Sequence, residues 1–231
     1  MPRPSAAETL SEGPEHTFYA ALLADADRAE RKTERTRLRL LATMANQISS
    51  GQDRRDLKVA SVTNAAGLAH GTFYRYFTDM QAATDTLIEE FAQFVRLKLS
   101  SVRSGKPGTA ERVRETTLTY TYLFRDNAPL MRCLIDLGSE NSEFARSYQR
   151  LNRTWYERMA AAIVQQSPIP GSTVETVLPV AYALGGMADD FLSQLYLRKE
   201  PALRGLAENP EAVADLLTDL WLKGAYGVAP E

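Results

Sequence analysis

The 231-residue sequence has a single cysteine, Cys133, and only two histidines. One cysteine excludes an intrachain disulfide, and no His, Cys or carboxylate cluster has the spacing of a metal site. No uncharged run reaches the ~18 apolar residues that a membrane-spanning helix needs. The first residues, with Pro2, Arg3 and Pro4, lack the apolar core of a signal peptide. We therefore expect a cytoplasmic protein with no membrane association, no metal and no cofactor.

The sequence also lacks the side-chain sets that are typical of catalysis. It has no Ser/His/Asp or Cys/His set, no glycine-rich loop that would cradle a phosphate, and no paired-carboxylate site. Cys133 lies in an apolar helical segment, where a buried and inert thiol is expected. We predict that the protein is not an enzyme.

Charge is distributed unevenly along a chain whose net charge is only -2. Residues 28–78 carry ten Lys or Arg against four Asp or Glu, a net charge of +6, and the rest of the chain carries -8. A basic module joined to an acidic body is typical of nucleic-acid-binding proteins. A solvated helix face would give the same run of charges, so charge alone leaves both interpretations open.

Apolar residues recur at steps of three and four through most of the chain, and no stretch alternates with period two long enough for a sheet. The pattern predicts an all-α fold. The polar residues 1–16 are expected to be disordered. Helices are predicted at about 17–26, 29–50, 59–66, 70–77, 79–104, 109–126, 128–138, 141–166, 173–199 and 210–226.

The two short helices predicted at 59–66 and 70–77 are separated by only two or three residues. Gly67 suits a left-handed residue that ends the first of them. Two short helices joined by a glycine-containing turn are the signature of a helix-turn-helix motif. The second helix of such a motif lies in the major groove of DNA.

The second short helix offers chemical groups that suit DNA. Gly71 lets the backbone approach a phosphate, and Thr72 offers a hydroxyl and a methyl. Tyr74 and Tyr76 offer hydroxyls that can bond phosphates without reading sequence. Arg75 is long enough to reach a guanine edge or a phosphate.

The other positions of this helix have different expected roles. Phe73 and Phe77 lie four residues apart on the opposite face, and we expect them to hold the helix against its own small core. His70 lies in the first turn, where a base contact and simple exposure to solvent both fit. Metal binding by His70 is not expected, because no ligand cluster lies near it.

The stretch VASVTNAAGLAHGTFYRYF, residues 59–77, is similar to the N-terminal signature of the TetR/AcrR family of transcriptional regulators. The family pattern has a valine-led helix, an Ala-Gly turn, a Gly-Thr pair, an aromatic-Tyr pair and a closing Phe. RTRLRLLATMANQISSG, residues 35–51, resembles the family's first helix. The resemblance covers roughly residues 35–100, and it implies a DNA-reading head on a dimeric helical body with a small-molecule pocket.

The resemblance implies DNA contacts at the positions that match the family pattern. Three departures are present: Ala69 stands where a small hydroxyl often caps the recognition helix, Lys58 where Thr or Ser is common, and Met80 where a lysine commonly clamps a phosphate. Loss of one phosphate contact lowers the slope of the logarithm of the DNA-binding constant against the logarithm of the salt concentration by about one unit. The predicted DNA-binding residues are Arg37, Lys58, Val59, Ala69, His70, Gly71, Thr72, Tyr74, Arg75 and Tyr76.

The helices after residue 79 carry apolar stripes that fit either a packed core or the wall of a pocket. Several tyrosines and a tryptophan bring polar tips into these stripes, and such tips need partners. A cavity lined by aromatic residues and methionine suits a hydrophobic or aromatic ligand. The predicted ligand-binding residues are Phe91, Val95, Tyr120, Phe124, Met131, Tyr148, Trp155, Met159, Tyr182, Met187 and Phe191.

Two adjacent pairs stand out in the long helix predicted at 173–199. Gly185 and Gly186 together cost roughly 2 kcal/mol relative to two alanines. They fit either a close helix approach at a dimer interface or room for a ligand. Asp189 and Asp190 fit a ligand-facing carboxylate pair or a solvated face, and we expect the solvated face.

The helices predicted at 173–199 and 210–226 match the dimerisation elements of the family. The resemblance therefore implies that Val213, Leu217, Leu220 and Trp221 pack across a two-fold axis. Two-fold symmetry in turn implies a near-palindromic target in double-stranded DNA.

We divide the chain into an N-terminal extension at 1–28, partly disordered, a helix-turn-helix domain at 29–78, and a ligand-binding and dimerisation domain at 79–231. The predicted function is a homodimeric repressor that a hydrophobic or aromatic small molecule releases from DNA. The alternatives are an activator, a regulator without a small-molecule effector, and an interaction protein whose DNA reader has decayed.

Overall fold

The computed structural model describes residues 16–138, 143–166 and 170–227. These residues form α-helices and no β-strand, which confirms the predicted all-α fold. The helices are α1 Phe18–Arg28, α2 Lys32–Ser49, α3 Val59–Ala65, α4 His70–Phe73, α5 Met80–Ser101, α6 Ala110–Asp126, α7 Ala128–Gly138, α8 Glu143–Gln166, α9 Val174–Tyr196, α10 Arg204–Ala207 and α11 Pro210–Tyr226. Short 3-10 helices span Arg54–Asp56 and Pro201–Leu203.

The chain separates into two compact units, and the boundary between Leu87 and Ile88 falls inside α5. The first unit contains α1 to α4 and the beginning of α5. The second contains the rest of α5 and all of the following helices.

The first unit is built around α2, which buries the predicted stripe at 38, 41, 45 and 48. The helix α1 packs against it through Phe18, Leu22 and Ala26, which recur every four residues. Residues 18–28 therefore belong to the packed body of the first unit, although the sequence analysis grouped them with an N-terminal extension. Residues 1–15 of that extension lie outside the described residues.

The second unit packs α6, α8, α9 and α11 around one apolar cluster. Val113, Ile163, Leu184 and Trp221 are among its buried members. The helices α9 and α11 approach closely, because a Cβ added to Gly224 of α11 would lie 2.7 Å from Leu184 Cδ2.

This packing corrects the expected dimer contacts. Val213, Leu217 and Trp221 of α11 are buried within their own chain, so they are not free to pack across a two-fold axis. Leu216 and Leu220 point outward instead, with exposed fractions of 39% and 42%.

Helix ends differ from the predictions where the backbone departs from simple periodicity. The helix predicted to reach 199 ends at Tyr196, and Lys199 adopts a left-handed φ of 53°. A 3-10 helix and α10 follow, and neither was predicted from the sequence. Glu200 caps the former through Ala202 N–H.

Candidate nucleic-acid interface and ligand pocket

The turn between α3 and α4 has the predicted geometry. Gly67 has a φ of 67°, and its N–H donates to the carbonyl of Asn64 at 3.1 Å. The N–H of Leu68 donates to the carbonyl of Thr63 at 2.8 Å. Gly67 therefore ends α3 as a left-handed residue, as the sequence predicted.

The helix α4 and the turns after it are held to the first unit by two phenylalanines. Phe73 is fully buried, Phe77 is buried as well, and their ring centroids lie 5.4 Å apart. Regular α-helix covers only His70–Phe73, whereas the prediction was 70–77. The following residues continue as tighter turns, in which Tyr76 N–H donates to the carbonyl of Phe73 at 3.0 Å.

Burial of the phenylalanines leaves a second face of this segment exposed to solvent. His70, Gly71 and Arg75 are exposed, and Tyr74 has an exposed fraction of 54%. The rings of His70 and Tyr74 contact each other, with centroids 5.6 Å apart. A small surface of imidazole, phenol and guanidinium groups results.

The other predicted DNA-binding residues differ in how far they are exposed to solvent. Lys58 and Ala69 are exposed, and Val59, Thr72 and Tyr76 are half-buried. Arg37 lies apart on α2, half-buried, and its guanidinium is 3.4 Å from the carboxylate of Glu34. The role of each of these residues in DNA binding stays a prediction.

The helix caps reflect the departures from the family pattern. Ala69 caps α4 with no side-chain hydrogen bond, and Lys58 caps α3 in the same way. Asp79, by contrast, caps α5 by accepting the N–H of Ala82 at 2.8 Å. Met80 is the first residue of α5.

Gly71 has no packing role within its own chain. A Cβ added there would meet no atom within 4 Å, and its φ is not in the left-handed region. Glycine at an exposed helical position costs stability relative to alanine. The fold therefore does not require glycine at this position.

The predicted ligand-binding residues divide by burial. Phe91, Val95, Phe124 and Met131 are buried in the second unit. Tyr182 has an exposed fraction of 43% and stacks on Tyr156 with centroids 4.1 Å apart, a position that does not fit the interior of a pocket. The remaining predicted residues are half-buried: Tyr120, Tyr148, Trp155, Met159, Met187 and Phe191.

Asp189 and Asp190 take different environments, which corrects the expectation of a solvated face for both. Tyr120 Oη donates to Asp189 Oδ1 at 2.6 Å, and burial raises the pKa of both groups. Asp190 is exposed and lies 3.3 Å from the guanidinium of Arg198. The apolar periodicity of α9 gave no sign that Asp189 faces the interior. Asp189 lies one turn after Gly185, on the same side of the helix, and this spacing was the available sequence signal for its position.

The two adjacent glycines of α9 also differ. A Cβ on Gly185 would overlap the ring of Tyr156, so this glycine makes room for an aromatic side chain of the same chain. A Cβ on Gly186 would meet nothing within 4 Å, and Gly186 is exposed.

A cleft of about 130 Å³ opens on the second unit between α5 and α8. The lining residues are Glu89, Ala92, Gln93, Ser147, Tyr148 and Leu151. Across the part of the chain that the structure describes, no group of three or more His, Cys, Asp or Glu side chains is arranged to hold a metal. In the same residues, no helix is long and apolar enough to cross a membrane.

Comparison with known proteins shows that the chain is similar in sequence to a transcriptional regulator. The chain is 24% identical over 194 residues to the HTH-type transcriptional regulator EthR of Mycolicibacterium smegmatis, covering 83% of this chain and 86% of that protein. No protein-family model matches the chain.

Solved structures share the fold. The regulator FadR from Bacillus subtilis, in complex with stearoyl-CoA, has a TM-score of 0.60 at 12% identity, over 83% of this chain and 99% of that one. A TetR family transcriptional regulator from Chloroflexus aurantiacus has a TM-score of 0.57 at 17% identity, over 83% and 93%. The predicted resemblance to the TetR/AcrR family is thus confirmed, and the relatives are transcriptional regulators rather than enzymes.

The contrast between two glycines gives a first prediction. Gly71→Ala is expected to leave the free energy of unfolding unchanged or to raise it by up to about 1 kcal/mol, because alanine is the better helix former. Gly67→Ala, the matched control, is expected to lower it by about 1–2 kcal/mol, because its φ is left-handed. Urea denaturation measures both values. Equal destabilisation by the two substitutions would show that Gly71 has a structural role.

The raised pKa of Asp189 gives a second prediction, on pH. The folded state holds the Asp189 proton more tightly than the unfolded state, so wild-type stability falls as pH rises from about 3.8 through the folded-state pKa. Asp189→Asn keeps an acceptor for Tyr120 and does not titrate. Its stability relative to wild type should therefore be greatest at pH 7 and should shrink towards pH 4. Chemical denaturation across this range measures the difference, and a pH-independent difference would contradict the assignment.

Proposed function

We propose that the protein is a homodimeric DNA-binding transcriptional regulator, a repressor that leaves a near-palindromic operator when a hydrophobic or aromatic small molecule binds. The observation that carries this proposal is the exposed face of α4 and of the turns that follow it, formed by His70, Gly71, Tyr74 and Arg75. It lies within a segment with a net charge of +6. The similarity to regulators in sequence and fold supports it.

Each group on this exposed face has a task in this proposal. Arg75 is the long cation, and it contacts a guanine edge or a phosphate. The Tyr74 hydroxyl donates to a phosphate oxygen and fixes the register of the helix on DNA. Gly71 lets the backbone approach the same strand without a side chain between them.

Dimerisation uses the outward faces of α9 and α11 in this proposal. Leu216 and Leu220 are one turn apart on α11, and both are exposed in the single chain. Tyr182 and Gly186 are likewise one turn apart on α9, and both are exposed. Apolar side chains beside an open glycine suit a close helix-to-helix contact between two copies.

The proposed response to a ligand requires a connection between the two units. Helix α5 supplies it, because the boundary between the units falls within its 22 residues. The related fold of FadR holds stearoyl-CoA, so this architecture accommodates an effector. Ligand and DNA then oppose each other with a coupling free energy of about 1–3 kcal/mol, and each weakens the other by the same factor.

Selection from a random duplex library tests the DNA-binding proposal. The wild-type protein is expected to enrich a near-palindrome. Arg75→Ala should weaken binding to that sequence by about 1–3 kcal/mol, because a base or phosphate contact is lost. Gly71→Ala should weaken binding although the protein remains folded. Fluorescence anisotropy at several salt concentrations measures the affinities.

The control for Arg75→Ala is Arg153→Ala, which removes an exposed arginine from α8 in the other unit. Its affinity and salt slope should match those of wild type. If the wild-type protein enriches no sequence at low salt, the regulator proposal is wrong for the ligand-free protein. The helical body would then be the functional part, as expected of a protein whose DNA reader has decayed.

The proposed dimer interface gives a separate prediction. Leu216→Glu combined with Leu220→Glu should convert the dimer to a folded monomer, because both side chains are exposed within the chain and the carboxylates would face their copies. Leu97→Glu on α5 is the control, since Leu97 is also exposed, at 66%. Light scattering after gel filtration gives the mass, and circular dichroism confirms folding. A dimer that survives the double substitution would place the interface elsewhere.

A further inference from the structure

The outward face of α9 carries an aromatic side chain that neighbouring residues hold in place. Tyr182 has an exposed fraction of 43%, and its ring stacks on the ring of Tyr156 with centroids 4.1 Å apart. Tyr156 belongs to α8 and occupies the space that a Cβ on Gly185 would fill. Tyr182 therefore projects from the chain with little side-chain freedom left to lose. Aromatic side chains that are ordered in advance in this way are favoured as anchors of protein interfaces.

An open position lies one helical turn further along the same face. Gly186 is exposed, and a Cβ added to it would meet no atom within 4 Å. Pro179 and Ala183 are exposed as well, and neither carries a long side chain that would shield the backbone. A projecting ring and an open backbone position thus lie four residues apart on one helix. A surface that carries both is self-complementary, as an isologous contact between two copies requires.

The charges at the two ends of α9 favour a second copy of the chain as the partner. Glu175, in the first turn, is exposed and forms no ion pair within the described residues. Lys199 follows the other end of the helix, is exposed and likewise forms no ion pair with a described residue. A two-fold axis perpendicular to α9 makes the two copies of the helix antiparallel. The acidic end of each then lies towards the basic end of the other, which is the complementary arrangement.

We propose that the dimer is assembled by a reciprocal knob-into-hole contact, in which the ring of Tyr182 in each copy packs on Gly186 of the other. This inference rests on the proposed function and names the contact that selects a second copy of the chain. The two-fold axis crosses α9 at the level of residue 184, midway between the two positions. Tyr156 is a positioning residue, because it orients Tyr182 without making the contact itself, and Gly185 provides the room for its ring.

The two outward-facing helices have different tasks in this dimer. Leu216 and Leu220 of α11 supply apolar area, which a similar side chain on another protein would also accept. Tyr182 and Gly186 require one register, because a ring fits only where the opposing backbone is bare. The contact on α9 therefore determines that the chain pairs with itself, and it disfavours a chain that lacks either group.

Single substitutions test the two halves of the contact in the full-length protein. Gly186→Leu fills the hole, and Tyr182→Ala removes the knob. Each should raise the dissociation constant of the dimer at least about tenfold. Tyr182→Phe keeps the ring and should stay within about threefold of wild type. Gly205→Leu is the matched control, since Gly205 of α10 is equally exposed and open, and it should leave the constant unchanged. Sedimentation velocity measures the constants, and circular dichroism confirms folding.

A mixture of two variants tests the pairing directly. In a heterodimer of Gly186→Leu with Tyr182→Ala, one side keeps the original contact between the ring and the glycine. On the other side the new leucine faces the new alanine and fills the space that the ring has left. The heterodimer should therefore be tighter than either homodimer and should exceed half of the dimers in an equimolar mixture. Native mass spectrometry measures its share, because the two variants differ in mass.

A double substitution tests the positioning role of Tyr156. Tyr156→Leu removes the stacking partner and should weaken the dimer by a smaller factor than Tyr182→Ala. Tyr156→Leu combined with Tyr182→Ala should weaken it no further than Tyr182→Ala alone, because Tyr156 acts only through Tyr182. Additive effects of the two substitutions would show that Tyr156 has a separate structural role.

The outcomes separate this inference from the proposed function. A dimer that is unaffected by Gly186→Leu or Tyr182→Ala, or a mixture without an excess of heterodimer, overturns the knob-into-hole contact and leaves the regulator standing. A wild-type chain that is monomeric overturns this inference together with the dimeric part of the proposed function. If Gly186→Leu does not fold, Gly186→Ala replaces it, because alanine narrows the hole and is a better helix former than glycine. DNA binding is measured independently, on the sequence selected above.

Discussion

The burial of Phe73 is the constraint on which the proposed DNA-binding surface depends. A helix as short as α4 gains too few hydrogen bonds to form in isolation, because the nucleation of a helical turn is unfavourable. Its conformation therefore comes from tertiary packing, and Phe73 with Phe77 supplies that packing. Once these two rings point inward, the 100° step between helical residues directs His70, Gly71 and Tyr74 outward. The spacing of Phe73 and Phe77 therefore determines both which side chains enter the core and which ones form the proposed DNA-binding surface.

The same helical geometry explains why adjacent residues of α9 differ so much. Asp189 and Asp190 are identical in chemistry, and sequence reasoning treated them as a pair. Successive side chains on a helix point about 100° apart, so one carboxylate faces Tyr120 inside the unit and the next faces Arg198 outside. A hydrophobic-stripe argument assigns a charged residue to the outside by default. It misses a half-buried carboxylate whose partner hydroxyl lies 69 residues away in the sequence.

Local patterns predicted a large part of the fold. The stripe of α2 at 38, 41, 45 and 48, the left-handed Gly67 and the helix of 210–226 all depend on residues close in sequence, and the structure has each of them. The packing of α1 onto α2 and the inward direction of Trp221 depend on which helices become neighbours. Periodicity gives the apolar face of a helix but not the element that covers it. For this reason three of the four side chains expected at the dimer contact, Val213, Leu217 and Trp221, are instead buried within their own chain.

Three glycines in helices lower stability relative to alanine, and their surroundings differ. Each glycine inside a helix costs about 1 kcal/mol relative to alanine, and some compensating contact is expected. At Gly185 the compensation is visible, because the Tyr156 ring occupies the space that a Cβ would fill. At Gly71 and Gly186 that space is open, and both residues face solvent. In the proposed regulator the compensating contacts come from DNA at Gly71 and from a second copy of the chain at Gly186.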